Sequence, residues 1–396
     1  MPLILPEVVE KKFNVADYYS LPKEVKHCKI CVISNQRPRI TFNDEGVCSA
    51  CQFAEHKHKI VNWEDREKEL LDLLNKHRSK DGSWDVVVPA SGGKDSVLVA
   101  HMLKYKYNMH PLTVTWSPMI YTDVGYRNFR HMIDSGLDNI SGSPNGEVHR
   151  KMTQLSLELM GDSFQPFIYG QKSFPMKIAI KFGIKLVMFG ENGEVEYGGS
   201  SKNYDNATHN ISTDMIEHYF SGILPDDFEK YGISKKNLNF YNPPSIEEAE
   251  KIGLENHFFS YYRKWIPQEN YYYAVENIDF EPEPDGRSEG TYSKYASLDD
   301  KIAGYHNYFA WLKFGHGRAT SDAAHEIRDG HITREEGVAL VKKFDGEFPK
   351  KHFSEFLKYI NCTESEFELI CERFRNDSLW TQDINGKWEL QKPVWK

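Results

Sequence analysis

The 396-residue chain lacks long hydrophobic runs. No stretch approaches the roughly 18 consecutive apolar residues that a membrane-spanning helix needs. The N-terminal segment contains no basic residues ahead of its short apolar stretch, so it does not match a secretory signal. The sequence therefore predicts a cytoplasmic protein without membrane insertion.

The chain also lacks an excess of positive charge. Lys and Arg number 49 against 58 Asp and Glu, and the formal net charge is -9. Proteins that bind nucleic acids usually carry a basic surface, so neither DNA nor RNA is expected as the main partner. Hydrophobic residues make up 40% of the chain, which is typical of a globular protein, and its length is enough for two or three domains.

Cysteine is scarce, but four of the six cysteines share a regular spacing. Cys28 and Cys31 form one C-x2-C pair, and Cys48 and Cys51 form a second pair after sixteen intervening residues. Each C-x2-C pair can place two thiolates on one turn, and two such turns can complete a tetrahedral four-thiolate Zn2+ site. A complete thiolate shell leaves no position for substrate, so the zinc is predicted to be structural. The alternatives are four free thiols or two disulfides, and a reducing cytosol disfavours disulfides.

Helical and strand-like patterns alternate after this segment. Short β-branched or apolar runs predict strands over 85–90, 112–116 and 185–189. Helices are predicted over 63–80, 94–107, 124–135, 146–160 and 172–183. This alternation is typical of an α/β fold with a doubly wound parallel sheet. From about residue 245 the strand signal fades, and helical patterns such as 299–313 dominate.

Three units follow from this order. Residues 1–62 are predicted to form an N-terminal arm with the four-cysteine zinc knuckles. Residues 63–240 are predicted to form the α/β domain, and residues 241–396 a mostly helical C-terminal region.

A glycine loop joins the first predicted strand to the helix that follows it. The loop consists of Ser91, Gly92, Gly93, Lys94, Asp95 and Ser96. Its glycines allow a tight turn with exposed N–H groups, and the following helix adds the positive end of its dipole. The two hydroxyls and the ammonium group can also bind phosphate. The loop matches neither the Walker A pattern nor the dinucleotide fingerprint, yet its position predicts a nucleotide-phosphate site.

The surroundings of this loop supply further candidates. Asp95 is predicted either to hold Mg2+ or to cap the helix N-terminus. Val114 and Trp116, at the end of the second strand, are predicted either to line the adenine pocket or to belong to the core.

A second cluster, GENGEVEYGG at 190–199, begins where the strand 185–189 ends. Because parallel strands end at one sheet edge, the cluster should lie beside the glycine loop. Its three carboxylates and four glycines suit a metal-phosphate or acid–base site. Glu191 is the best-placed acid and Gly190 a predicted nucleotide contact, while a solvated acidic loop is the alternative.

The loop SGGKDS resembles the PP-loop of the ATP pyrophosphatase superfamily, whose members adenylate a substrate oxygen and release pyrophosphate. Together with the paired knuckles and GENGEVEYGG, the blocks EGTYSKYASLDDK at 289–301 and FGHGRATSDAAHEIRDGHITREEG at 314–337 resemble the N-acetyl sugar amidotransferase family. These enzymes belong to surface polysaccharide and flagellin-glycan pathways of bacteria. The resemblance extends from about Cys28 to beyond Phe348.

The resemblance implies a fold of PP-loop type and an enzyme that converts an N-acetyl group of a sugar into an acetamidino group. ATP and Mg2+ would activate the amide oxygen as its adenylate, and ammonia would then displace AMP. Lys94, Asp95, Glu191 and Arg318 are the predicted catalytic residues. The acceptor is either a nucleotide-linked acetamido sugar or a free nonulosonic acid.

Ammonia is expected from another protein. Four cysteines are assigned to zinc and Cys371 to a helix core, and Cys362 lacks the glycines of a nucleophile elbow. The resemblance implies a separate pair of glutaminase and cyclase-like subunits as partners.

Residues of the block 314–337 and its neighbours are secondary candidates. Lys313 and Arg328 could bind an anionic group, and His316 and His325 could act as acid or base. A solvated helix face for Arg328 and a simple turn at Gly315 and Gly317 are the alternatives. Tyr292 and Lys294 are weaker candidates.

Two rival functions remain at this point. A PP-loop tRNA-modifying enzyme would adenylate a base carbonyl, but the acidic balance and the lack of cysteines between Cys51 and Cys362 disfavour it. A non-catalytic zinc-ribbon scaffold or nucleotide sensor is the other rival, against which the intact glycine loop argues.

Overall fold

The computed structural model describes residues 12–199, 203–208, 219–220 and 222–396. At its centre lies a five-stranded parallel sheet. Its strands are β1 Val86–Pro89, β2 Pro111–Trp116, β3 Asp138–Gly142, β4 Leu186–Phe189 and β5 Glu255–Phe258. Their order across the sheet is β3-β2-β1-β4-β5. The order reverses between β1 and β4, and ligands of such sheets bind at this switch point, outside the carboxyl ends of the strands.

Helices cover both faces of the sheet and make up most of the remaining chain. Within the described residues they are α1 Val15–Tyr18, α2 Ser49–Lys59, α3 Trp63–His77, α4 Lys94–Tyr105, α5 Asp123–Asp134, α6 Gly146–Met160, α7 Gln165–Phe182, α8 Gly193–Tyr197, a 3-10 helix Pro225–Tyr231, α9 Lys235–Leu238, α10 Ile246–Ile252, α11 Phe259–Tyr262, α12 Pro267–Ile278, α13 Ala303–Phe314, α14 Arg318–Arg328, α15 Arg334–Phe344, α16 Phe353–Ile360 and α17 Glu364–Phe374. A short hairpin, β6 Trp380–Gln382 and β7 Trp388–Leu390, follows the last helix.

Alternate side chains of the central strands enter two hydrophobic cores. Val86 and Val88 of β1 pack with α3, α4, α5 and α12 on one face. Val87 packs with α6 and α7 on the other. Because both faces of β1 are buried, the strand reads as a continuous apolar run. The predicted doubly wound parallel sheet is therefore confirmed, as are the four-cysteine N-terminal segment and the helical C-terminal region.

Two strands were not predicted from the sequence. β3 has the sequence DNISG and β5 the sequence ENHF, and both lie at the edges of the sheet. Edge strands need fewer apolar residues than central ones, so they give little periodic signal. Since β5 follows residue 240, the sheet extends into the segment that was assigned to the helical region. The three domain boundaries stay predictions.

The C-terminal region contains two further hydrophobic cores. α13, α16 and α17 enclose one of them, around Tyr305, Phe309 and Phe367. The second lies between the cysteine segment and α14 and α15, where Ala323, Ala324 and Val341 pack against the cysteines. The N-terminal segment is thus held against the C-terminal region, close to the carboxyl edge of the sheet. No helix in the described part of the chain is long and apolar enough to cross a bilayer.

Candidate functional site

A cavity of about 210 Å³ lies at the switch point of the sheet. The glycine loop forms one side through Gly92, Gly93, Lys94 and Asp95. Residues from at least four other parts of the chain complete its lining, among them Asn128, Glu191, Tyr197, Tyr295, Asp299 and Arg318. The structure therefore brings together all four predicted catalytic residues, and their roles stay predictions.

The glycine loop has the backbone shape that its sequence predicts. Gly92 has a φ of +91°, and a Cβ on it would lie 2.6 Å from the Cα of Phe129. Gly93 caps the N-terminus of α4 without a side chain, and the Ser96 hydroxyl donates to the Gly93 carbonyl at 3.0 Å. Only glycine fits the first position, because any Cβ there would meet backbone.

Gly92→Ala should lower the unfolding free energy by at least about 2 kcal/mol, because the left-handed backbone and the backbone overlap both oppose a Cβ. It should also abolish ATP binding. Gly93→Ala is the matched control for folding, since its φ of −68° suits alanine and its nearest neighbour would be the Ser91 hydroxyl at 3.8 Å. Urea unfolding and calorimetric titration with ATP measure both effects. Equal stability of the two variants would contradict the assigned loop geometry.

Lys94 and Asp95 occupy the first turn of α4 and face the cavity. The Lys94 side chain is buried, its ammonium contacts the Asp95 carboxylate, and it lies 5.2 Å from the ring centre of Tyr295. Asn270 of α12 donates to the other Asp95 oxygen at 2.8 Å. The ammonium group is therefore held between a carboxylate and an aromatic face, at the entrance of the glycine loop.

Asp299 lies on the opposite side of the loop and was not singled out from the sequence. It accepts a hydrogen bond of 3.0 Å from the Ser91 hydroxyl. Burial raises the pKa of its carboxyl group. Asp299 fixes the hydroxyl of Ser91 and so connects the glycine loop to the C-terminal region.

Glu191 begins the loop after β4, as its position in the sequence predicted. Burial raises its pKa to about 7, with the nearby Asp95 carboxylate adding to the effect. Asn192 caps α8 by accepting from the Glu194 N–H at 3.2 Å, and the Asn192 N–H donates to the Ser260 hydroxyl at 2.9 Å. A carboxyl group with a pKa raised in this way can exchange a proton near neutral pH.

The pH dependence of catalysis should reflect Glu191. If its ionised form takes up a proton in the reaction, the rate should fall as the pH drops through about 7, because the raised pKa keeps the group protonated below that value. Glu191→Gln should remove this limb and lower the rate at pH 8. Initial rates between pH 5.5 and pH 9 measure the effect, with Glu194→Gln as the control from the same loop. An unchanged profile in Glu191→Gln would assign the limb to another group.

Arg318, the first residue of α14, lies between the cavity and a second groove. Its Nε donates to Asp322 at 2.9 Å. Burial works against its charge, but the Asp322 carboxylate outweighs this and raises the pKa. Arg318 also borders a second groove of about 590 Å³, lined by the start of α5 and by residues 283–301. Its guanidinium can therefore contact ligands in both spaces.

Tyr197 forms a wall of the cavity and was missed by the sequence reasoning. The Arg37 guanidinium lies 5.1 Å from the centre of its ring, and the His325 ring packs against it edge-on at 4.7 Å. The Glu191 carboxylate, together with burial, raises the pKa of its hydroxyl. The neutral phenol therefore stands beside Glu191, whose own pKa is raised to about 7.

Three predicted nucleotide contacts lie elsewhere. Val114 and Trp116 are buried in the core against α6 and α7, and neither is among the described residues that line the cavity. Trp116 lies so close to Gly170 that a Cβ there would be 1.9 Å from its ring. Gly190 packs against Trp265 instead of facing the cavity. The core interpretation fits Val114 and Trp116 better, and Gly190 is not among the described residues that line the cavity.

The secondary candidates also divide. His325 lies close to the site, whereas His316 is buried beside Phe314, and burial with the nearby Arg37 charge lowers the pKa of His316 to about 3. Lys313 is buried and donates to the Met160 carbonyl at 3.0 Å. Neither His316 nor Lys313 is among the described residues that line the cavity.

The remaining candidates are Arg328, Tyr292 and Lys294. Arg328 is half-buried, and the cysteine thiolates and Glu196 raise its pKa although burial opposes this, so the predicted solvated helix face was wrong. The Tyr292 hydroxyl donates to Glu326 at 3.0 Å. Lys294 is exposed and lies over the Tyr271 ring.

The four cysteines converge as their spacing predicted. All four sulfur atoms lie within 4.8 Å of one another, and each is buried. The Cys28–Cys51 and Cys31–Cys48 sulfur distances are both 3.8 Å. A tetrahedral ion with Zn–S bonds of about 2.3 Å separates its sulfurs by about 3.8 Å, so the geometry fits Zn2+. Backbone N–H groups of Ile30 and Cys48 also donate to the Cys28 sulfur at 3.4 Å.

A buried ion network connects this segment to the cavity. Lys57 of α2 donates to Glu196 at 3.2 Å and to the Trp265 carbonyl at 2.9 Å, and its ammonium lies 3.5 Å from Asp329. Each of the three charged side chains is 2% exposed. Because Glu196 belongs to α8, which directly follows Glu191 and Asn192, the cysteine segment helps to hold this part of the site in place.

Comparisons with known proteins cover parts of the chain. An 89-residue stretch, 22% of this chain, is 35% identical to the uncharacterized protein MJ1599 of Methanocaldococcus jannaschii. The match spans 31% of that protein, so the chain covers about a third of the length of this curated relative. The structure of NMN synthetase from Francisella tularensis aligns with 48% of this chain and 92% of its own, at a TM-score of 0.28 and 13% identity.

A family match covers the C-terminal region. Residues 289–394 match the family described as LPS biosynthesis protein WbpG-like, C-terminal domain. The matched segment includes Tyr295, Asp299 and Arg318, which line the cavity. The C-terminal part of this chain is therefore similar to the C-terminal domain of WbpG-like LPS biosynthesis proteins.

Proposed function

We propose that the protein is an ATP-dependent amidotransferase that converts the acetamido group of a sugar into an acetamidino group, releasing AMP and pyrophosphate. One observation carries this proposal. The cavity joins a phosphate-type glycine loop of the sheet to Tyr295, Asp299 and Arg318 of the segment similar to an LPS biosynthesis domain. An ATP site built in part from such a segment is suited to activate a sugar.

The first step is adenylation of the amide oxygen. An amide is a poor electrophile, and transfer of AMP to its oxygen supplies a good leaving group. The loop N–H groups and Lys94 can bind the phosphates, and Arg318 can bind charge that develops at the α-phosphate. The reaction requires the amide oxygen to be held in line with the α-phosphorus.

The residues present fit ATP and its metal ion. A Cβ at Gly92 would meet the backbone of Phe129, so the loop backbone stays bare for phosphate. Asp95 is the carboxylate of the glycine loop that could hold Mg2+. When bound, the ion neutralises phosphate charge.

The second step replaces AMP by nitrogen. Ammonia adds to the activated carbon, and a base must accept the proton that it loses. Glu191 suits this role because its pKa lies near 7 and it lines the same cavity as Lys94 and Arg318.

The ammonia is proposed to come from a separate glutaminase and cyclase-like subunit pair. The zinc site accounts for four cysteines. Cys371 is buried in the C-terminal core, and burial raises its pKa well above the ordinary value. Cys362 is half-buried and donates to the Thr363 carbonyl at 3.3 Å, and burial raises its pKa to about 12. Neither thiol is suited to act as a glutaminase nucleophile.

Mass spectrometry of acetamido sugars tests the proposal. Nucleotide-linked sugars and free nonulosonic acids would be incubated with the protein, ATP, Mg2+ and ammonium chloride. The expected result is the mass change from amide to amidine in one sugar class, with AMP and pyrophosphate formed in step. ATP binding without turnover in any of these mixtures would favour a nucleotide sensor, and co-purified tRNA as the substrate would favour a tRNA-modifying enzyme.

A further inference from the structure

The groove of about 590 Å³ opens beside the cavity, and the two spaces meet at Ser297 and Arg318, which line both. The start of α5 contributes to the groove, and the segment 289–394 supplies more than half of its described lining residues. Sites for small organic ligands measure roughly 300–1,000 Å³. The groove falls in this range, whereas the cavity, with about 210 Å³, falls below it. A ligand that occupies the groove can therefore extend one group into the cavity.

The junction between groove and cavity has a defined backbone shape. Ser297 has a φ of +53°, in the left-handed region that residues other than glycine rarely adopt. The next two residues line the cavity and are fixed there. The Leu298 carbonyl accepts from the Thr122 hydroxyl, and Asp299 accepts from the Ser91 hydroxyl. The turn that separates the two spaces is therefore anchored on its cavity side by hydrogen bonds.

The cations of the groove already have carboxylate partners. The Arg287 guanidinium donates twice to Glu347, at 2.6 and 2.9 Å. Lys351 donates to Glu283 at 2.8 Å and to Asp285 at 2.6 Å. Two further ion pairs involve lining residues: Arg127 with Glu281, and Lys301 with Glu355. A phosphate group in the groove would have to compete with a carboxylate for each of these cations.

The overall charge of the groove also disfavours a polyanion. Arg318 is the remaining cation, and it is bonded to Asp322 and assigned to the α-phosphate of ATP. Asp123, Glu289 and Asp300 add carboxyl groups to those of the ion pairs. The described lining thus holds six carboxyl groups against five Arg and Lys side chains. A diphosphate finds no net positive charge there.

Paired charges of this kind suit sugar hydroxyls. A hydroxyl group both donates and accepts, so it can bind the carboxylate and the cation of one pair together. Asn307 of α13 adds an amide group to the lining. Its nitrogen donates to the Ala303 carbonyl at 3.3 Å, and its oxygen is an acceptor that can bind an acetamido N–H. The groove is therefore complementary to a ring with several hydroxyl and acetamido groups.

We propose that the groove binds the uncharged body of the acceptor sugar, an inference that rests on the proposed function. The hydroxyls lie along the ion pairs, and one acetamido group extends past Ser297 and Arg318 into the cavity. A nucleotide or a carboxylate on the sugar then lies outside the groove. A nucleotide-linked sugar and a free nonulosonic acid would share this one mode of binding.

Saturation-transfer NMR tests the groove without catalysis. The first probes are the methyl glycosides of N-acetylglucosamine, N-acetylgalactosamine and N-acetylmannosamine. The second is the methyl ester of a methyl glycoside of N-acetylneuraminic acid, a nonulosonic acid without its charge. At least one probe should bind the wild type, and inorganic phosphate should not displace it. Binding of the first kind alone would indicate a hexosamine acceptor, and binding of the second alone a nonulosonic acid.

Two variants locate the bound probe. Asn307→Trp should weaken its binding at least about tenfold, because the indole ring fills part of the groove. Lys351→Met should weaken it about three- to tenfold, because one charged donor is lost. Lys351 is exposed, so this change does not disturb α13. Lys350→Met is the matched control, since Lys350 is exposed, carries the same charge and is not among the described lining residues.

The outcomes separate the groove from the reaction. The inference would be overturned if no probe bound, if inorganic phosphate displaced the probe, or if Lys350→Met and Lys351→Met bound it equally well. Unchanged binding by Asn307→Trp would overturn it as well. If the probe binds as expected but the wild type forms no amidine from any sugar, the groove stands as a sugar site and the proposed function falls.

Discussion

Lys94→Ala should abolish the formation of AMP and pyrophosphate. The buried ammonium is held between Asp95 and the Tyr295 ring at the mouth of the glycine loop, so its loss removes the main positive charge from the phosphate side of the cavity. Removal of one charge-stabilising donor costs about 100- to 1,000-fold in rate, and the loss here should be at least that large. Pyrophosphate release with ammonium and an acetamido sugar measures it.

The control for this variant is Lys106→Ala, at the end of the same helix. Lys106 is exposed and pairs with Glu67 on the surface, where an ion pair contributes little. Both variants should keep their zinc and their unfolding midpoint. Normal AMP formation by Lys94→Ala would exclude the proposed phosphate role of the glycine loop.

Cys28→Ser should lower zinc content, soluble yield and activity together. The four sulfurs lie in a buried cluster, and a thiolate missing from it weakens zinc binding and the packing of the segment. The segment carries Lys57, whose bond to Glu196 holds α8, the helix that follows Glu191. Breaking a buried ion pair costs about 3–5 kcal/mol, so α8 should loosen and catalysis should fall at least about tenfold.

Cys362→Ser separates zinc loss from a general effect of cysteine replacement. Cys362 lies outside the cluster and is half-buried in the C-terminal region. It should leave zinc content and pyrophosphate release unchanged. Zinc measured by plasma emission and activity measured on the same preparations decide the matter. A zinc-free Cys28→Ser protein with full activity would rule out support of the active site by the knuckles.

The local parts of the site could be predicted from the sequence. Gly92 and Lys94 follow a buried strand and open a helix, and a glycine loop at a helix N-terminus offers N–H groups that bind phosphate. The spacing of the cysteines similarly predicted the cluster. In each case the residues that act together lie within a few turns of one another, or repeat one short motif.

The rest depended on contacts between distant parts of the chain. Tyr295 and Asp299 reach the glycine loop from some two hundred residues away, and Ser91 and Asp299 are separated by 208 residues. No local pattern marks such a pair. Val114 and Trp116 show a different limit, because a position at the end of a strand does not tell which face a side chain takes. Side chains alternate along β2, and these two share the face that packs on α6 and α7.

The contact between the cysteine segment and α15 affects how the chain can fold while it is being synthesised. Arg334 donates to the Cys31 carbonyl at 3.2 Å, across 303 residues of sequence. At about 5–20 residues per second, a ribosome needs roughly 15–60 s to make the residues between them. The nascent knuckles therefore leave the ribosome long before their packing surface exists. Early capture of zinc would protect their thiols during that interval, and the supply of zinc during translation should limit the yield of native protein.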